Sequence, residues 1–254
     1  MRTTGPILIL LVLFSQFLNG QYTDRSLETA IQPELLQEVF NKNLPDLHAR
    51  KIHGRPYFFS YPKSEDNQFF QSGEPLEGII LTLDDTIHCS LMLYDLCSDR
   101  LVIWEPAAEA FIEPEEEFIR CFWLNDNFRH ITYEFRNIVP ETNPTRTRSG
   151  FHQVLFDGKG LQLHKKHTKV FLSSMEMGEY VLEFKQEEKL IRGEDIWIKR
   201  NRDLWRNYPG IQDEIKRFLR DSGIKLQRAS DRQIYLTGQF VEGLLLQPGI
   251  TDPG

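Results

Sequence analysis

From Tyr57 to Trp197 the chain is a succession of short apolar or alternating runs, divided by tight-turn signals about every 8–12 residues. No long helical pattern lies between them, and this spacing constrains the fold more than any other feature. Parallel strands need long crossover connections, usually helical, so a parallel βαβ sheet is excluded. An antiparallel meander remains, either closed as a barrel or curled into two packed sheets. The predicted runs are 68–71, 76–83, 86–94, 100–105, 117–124, 129–136, 151–156, 161–164, 169–173, 179–185, 188–191 and 194–199. The sharpest hairpin signal is FHQVLFDGKGLQLH, in which Asp157-Gly158-Lys159-Gly160 offers two residues free to take positive φ between alternating strands. Aromatic residues make up 12% of the chain, with 18 Phe, and this composition favours strands.

Helical signals flank the β region. Over 26–44, Leu35, Leu36, Val39 and Phe40 fall at helical spacing, with Pro33 in the first turn and Pro45 as a stop. Beyond Pro209-Gly210, the residues Ile211, Ile215, Phe218 and Leu219 form one face, acidic residues precede basic ones, and Gly223 ends the pattern. Ser230-Asp231 starts a second segment carrying Ile234, Val241, Leu244 and Leu245; Gly238 and Gly243 weaken it, and a strand over 233–236 competes. The expected organisation is a signal peptide over 1–20, a helical lead over 21–56 and an antiparallel β domain over 57–200. A flexible excursion over 137–150 interrupts that domain, and a helical cap over 201–246 and a disordered tail over 247–254 follow it.

The leader is read from Arg2 and the apolar run Ile7 to Leu18, which is short for a membrane span, with cleavage expected near Gly20. No later stretch is long and apolar enough to cross a bilayer, so the mature chain is expected to be soluble, and periplasmic or secreted. A formal charge of −7 argues against general nucleic-acid binding. Cys89, Cys97 and Cys121 allow one disulfide at most. Strand alternation lets Cys89 and Cys121 meet in a core, and three unpaired thiols are the alternative.

Three segments, LMLYDLCSDRLVIWE, SGFHQVLFDGKGLQLHKKHTKVF and EDIWIKRNRDLWRNYP, followed by the helix IQDEIKRFLRDSGIKLQ, resemble a group of exported Bacteroidota envelope proteins of unknown function. The resemblance spans Phe69 to Gly243. It implies a bacterial envelope setting, a signal peptide and a mostly β fold with C-terminal helices, and it implies no activity.

The sequence carries no GxSxG, HExxH, CxxC, GxGxxG or P-loop pattern, so no catalytic, metal-binding or cofactor-binding residue is assigned and no cofactor is expected. His164 and His167 point to opposite faces if their segment is a strand. Lys165, Lys166, His167 and Lys169 form a basic cluster, read either as a patch for an anionic partner or as lysines guarding a solvated strand edge. Asp84, Asp85, Asp95 and Asp99 fall where turns are expected, and EPEEEF reads as a solvated charge run. Trp104, Trp123, Trp197 and Trp205 serve either packing or a sugar-stacking platform. The function expected is a non-catalytic binding or structural component of the envelope, its partner an envelope protein, glycan or lipid. The alternatives are a hydrolase using Asp, Glu or His at the mouth of the β structure, with His152 or His164 beside a carboxylate, and a carrier with an apolar cavity inside a barrel.

Overall fold

A computed structural model of the protein describes residues 54–59, 61, 67–71, 73–139, 149–176, 179–193 and 196–247. The leader, the helix over 26–44 and the tail beyond Gln247 lie outside the described residues. The fold is mainly β, an antiparallel meander with C-terminal helices. Eleven strands form one sheet: β1 (Gly54–Pro56), β2 (Leu76–Thr82), β3 (Thr86–Asp95), β4 (Arg100–Glu105), β5 (Ala110–Pro114), β6 (Ile119–Asp126), β7 (Ile131–Ile138), β8 (Gly150–Asp157), β9 (Gln162–Glu176), β10 (Glu179–Arg192) and β11 (Ile196–Trp197). Their order is β1-β5-β4-β3-β2-β6-β7-β8-β9-β10-β11, and the sheet does not close. Two connections among the described strands depart from hairpin logic: β1 pairs with β5 and not with β2, and after β5 the chain returns to pair β6 with β2, Ile80 opposite Phe122.

Several boundaries differ from those the sequence suggests. The expected lead ends in strand, because Gly54–Pro56 pairs with β5. The strand AFIEP has no counterpart among the runs read from the sequence; Pro114 and the acidic neighbours hide the alternation. The pairs 161–164 with 169–173, and 179–185 with 188–191, are each a single strand of a long hairpin running from Leu163↔Arg192 to Glu176↔Glu179. The excursion narrows, since β7 runs to Ile138 and β8 begins at Gly150; residues 140–148 lie outside the described ones.

Two hydrophobic clusters organise the fold. The first fills the curl of the sheet with Phe70, Met92, Tyr94, Phe122, Leu124, Phe135 and Phe151, all nearly sealed from solvent. Phe122 and Phe135 stack at 4.9 Å, and the Phe151 and Tyr94 rings meet them edge-on. Burying each such ring stabilises by about 1.5–3 kcal/mol. Cys89 on β3 and Cys121 on β6 do not meet, because β2 lies between their strands, and the two form no disulfide with each other. Burial pushes Cys89 up to about 12 and Cys121 up to about 11, so neither is a ready nucleophile.

The second cluster joins Leu155, Leu161, Leu163 and Leu190 to three helices: α1 (Asn201–Trp205), α2 (Gln212–Asp221) and α3 (Asp231–Leu245). Ile215 and Leu219 of α2 and Ile234 and Val241 of α3 are the buried stripes, and Phe218 stacks on Phe240 at 4.1 Å. Ser230 caps α3 in a reciprocal box with Gln233, so the strand considered over 233–236 is helix. Gly238, suspect on helix propensity, sits where the Phe156 ring crosses α3; a Cβ there would lie 2.3 Å from the ring. On the same helix, Glu242 accepts bonds from the Lys159 and Gly160 amides, fastening the DGKG turn to α3.

Candidate functional site

The basic cluster at 165–169 lies on β9, an interior strand, and does not form a solvated edge. Lys165, Lys166, His167 and Lys169 are only 8%, 1%, 4% and 6% exposed, and each is engaged inside the protein. The pairing of β8 with β9 stops at Gln153↔Lys165. Beyond it the turn between β3 and β4 takes the vacated place, and the Lys169 amide donates to the Leu96 carbonyl. Lys166 fills the gap, its ammonium bonded to Asp99 Oδ2 and to the Phe151 carbonyl that the ladder leaves over. Tyr94 donates to Asp99 Oδ1 at 2.5 Å, and burial together with that carboxylate drives its phenol pKa well up. Gly150, at φ +97°, completes the packing, because a Cβ would fall 1.9 Å from Asp99 Oδ2. Lys169 Nζ donates to the Asn67 carbonyl.

Lys165 and His167 open toward the helices. Lys165 contacts Asp231 at the start of α3 and Glu188 Oε2 on β10 at 3.2 Å. His167 Nε2 donates to Gln153 Oε1 at 2.7 Å, while the Gln153 amide donates to Asp231 at 3.1 Å. His167 Nδ1 lies 3.3 Å from Glu188 Oε1. His167 beside it, then Lys165, hold the Glu188 carboxyl down at about 2 against the opposing effect of burial. Burial lowers Lys165, and its bonds to Asp231 and Glu188 more than reverse that effect, so its pKa is raised.

Lys165 and Glu188 of this network line a cleft of about 340 Å³ between β10, β11 and the helical cap. Leu190, Ile198, Leu226 and Ile234 give it an apolar floor, and Trp197 and Lys199 are among its other lining residues. Lys189 Nζ stands 4.6 Å from the Trp197 ring centre and Lys199 Nζ 5.5 Å.

The other expected residues are dispersed. Asp85 and Asp95 do serve turns, bonding the Thr86 amide and the Cys97 and Ser98 amides. Asp99 occupies a turn at φ +60°, but its carboxylate is committed to Lys166 and Tyr94. The acidic run is less solvated than expected: Glu113 pairs with Arg55 and Arg100, and Glu116 with Arg100. His164 and His167 point to opposite faces; His164 lies 6.4 Å from the His152 ring, and burial together with Arg136 lowers its pKa to about 4. Trp104, Trp123, Trp197 and Trp205 lie on β4, β6, β11 and α1, so they build no common platform. Among the described residues, no group of three or more His, Cys, Asp or Glu is placed to hold a metal ion, and no helix is long and apolar enough to cross a membrane.

Compared with protein-family models, with curated proteins and with solved structures, the chain finds no match.

Proposed function

We propose that this protein is an exported component of the bacterial envelope that binds a ligand, without catalysis, in the cleft between β10, β11 and the helical cap. The observation that carries this reading is the pairing of the ionisable groups at the cleft, where Lys165 is held between Asp231 and Glu188. General acid–base catalysis is most effective with a pKa near the working pH. Glu188, held at about 2, and Lys165, raised above the ordinary lysine value, are fixed in their charged forms. A hydrolytic pair would need one of them able to exchange a proton near neutrality. Fixed charges beside an apolar floor instead suit recognition. The leader expected over 1–20 and the resemblance to exported Bacteroidota proteins support the envelope setting.

The test is site-specific photocrosslinking in a Bacteroidota host, with a photoreactive phenylalanine placed at Lys199 or, as control, at the exposed Arg217 of α2. A discrete adduct formed at Lys199 and missing at Arg217 is expected. The same adducts at both positions, or none at Lys199, overturn the proposal.

A further inference from the structure

The long β9–β10 hairpin leaves one flank of the sheet open. β11 pairs only with Ile191 and Arg192 of β10, and among the described residues no other strand lies against β10 from Glu179 to Lys189. Glu183, Lys185, Gln186, Glu187 and Glu188 on this stretch are exposed. The hydrogen-bonding phase of the edge follows from its neighbours. The Lys169 amide donates away from β10, to Leu96, so Lys169 and the opposite Gln186 are a pair that does not exchange hydrogen bonds. Gln186 therefore turns its N–H and C=O outward, and Tyr180, Leu182, Phe184 and Glu188 do so by alternation. Leu190 has the same parity, and its carbonyl accepts outward from Ile198. Such a row of open main-chain groups, about 33 Å long, is a template for a further strand. The other sheet ends offer less: β1 has three residues and ends in Pro56, and β11 has two.

We propose that two copies of this chain pair antiparallel through the Glu179–Lys189 edge of β10, forming a two-fold dimer whose sheet runs through both. The charge order of the edge selects this occupant. With the axis at Phe184, the midpoint of the open stretch, Glu183 falls opposite the partner's Lys185, Lys185 opposite the partner's Glu183, and Lys189 opposite the partner's Glu179. No like charges meet, and Phe184 is an outward-bonding residue, so about ten main-chain hydrogen bonds form across the axis. The partner strand begins opposite Lys189 and stops short of Leu190, where Ile198 already occupies the edge. Moving the axis to Lys185 sets that lysine against itself and loses the hydrogen-bonding phase. Moving it to Gln186 drives the partner strand into Ile198. Edge lysines commonly repel a second strand, but here each meets a glutamate. A two-stranded ribbon is marginal alone, and further strands stabilise it. The pairing is independent of what the cleft binds.

Sedimentation velocity of the full mature chain over a concentration series tests the pairing, and a reversible dimer is expected. Lys185→Glu sets like charges against each other on both sides of the axis, and so does Glu183→Lys; each is expected to weaken dimerisation at least about tenfold. The double variant Glu183→Lys with Lys185→Glu restores opposite pairs and is expected to recover the dimer. Gln186→Pro removes an N–H that β9 does not use, so the fold is expected to persist by circular dichroism while the dimer is lost. Should Gln186→Pro unfold, the charge reversals decide alone. A chain monomeric at every concentration, a dimer unchanged by the single reversals, a dimer that survives in folded Gln186→Pro, or a double reversal as weak as the single ones overturns the proposal.

Discussion

Replacing Lys166 by Met tests whether the β3–β4 turn is held by charge. The Lys166 side chain is 1% exposed and that of Asp99 16%, so the pair is screened by protein rather than by water. Met retains most of the aliphatic stem, and the change removes the ammonium and its bonds to Asp99 and Phe151 while leaving the gap between β8 and β9 filled. The Asp99 carboxylate then keeps Tyr94 as a donor but has lost its counter-charge, and the Phe151 carbonyl loses a donor. Removing one partner of a buried pair costs about 3–5 kcal/mol, whereas an exposed pair is worth about 0–1 kcal/mol. Lys166→Met is therefore expected to lose about 3–5 kcal/mol in urea unfolding at neutral pH, with the slope unchanged. Adding Asp99→Asn removes the stranded charge, so the double variant is expected to regain about 2 kcal/mol, the scale of coupling between contacting residues. A loss below about 1 kcal/mol for Lys166→Met, or purely additive effects, would refute the account of Lys166 as a buried counter-ion.

Other consequences can be measured on the same footing. Gly150→Ala drives a methyl group into Asp99 at a backbone angle that L residues avoid, and a loss of roughly 3 kcal/mol is expected from thermal unfolding. Gly238→Ala is expected to destabilise although alanine favours helix by about 1 kcal/mol, and Phe156→Ala in the same chain is expected to make it tolerated; stabilisation by Gly238→Ala alone would contradict the packing of Phe156 on α3. His164 is neutral when folded, its pKa lowered from 6.5 to about 4, so its contribution is complete above pH 6.5 and is lost as pH falls to 4. The lost stability is about 3 kcal/mol. Urea midpoints at pH 7.5 and 4.5 should show it, and His164→Leu should flatten that part of the profile.

What the sequence disclosed follows the range of the interactions concerned. Alternation over 76–83 and 86–94 is local, and so is the position of the DGKG turn, but its glycines do not take the positive φ expected of them; a Cβ at Gly158 would instead meet the Glu242 carboxylate. Ser230 with Gln233 and Asp95 with the next amides act over two or three residues, and they too were legible. Lys165 and Lys166 were read as surface because lysine is rarely buried without a partner, and their partners Asp231 and Asp99 lie 66 and 67 residues away. Nothing near β9 announces those carboxylates. Gly238 looked like a defect in α3 because its reason, the Phe156 ring, belongs to β8. The cleft was hidden for the same cause: β10, β11 and the segment after α2 meet only in three dimensions, and Lys165, Trp197 and Ile234 stand in the sequence as members of three separate patterns.

The salt link from Asp99 to Lys166 also bears on the order of events during synthesis. When β3 and β4 have left the ribosome, the acid of their turn and the phenol near the end of β3 have no base to receive them, because that base lies 67 residues beyond Asp99. The first half of the sheet therefore has an unfinished seam until the second half arrives. Local hairpins should form early and reversibly, and the final docking of the β3–β4 corner should be the slow, committing step, because a long intervening loop must be closed before the contact is gained.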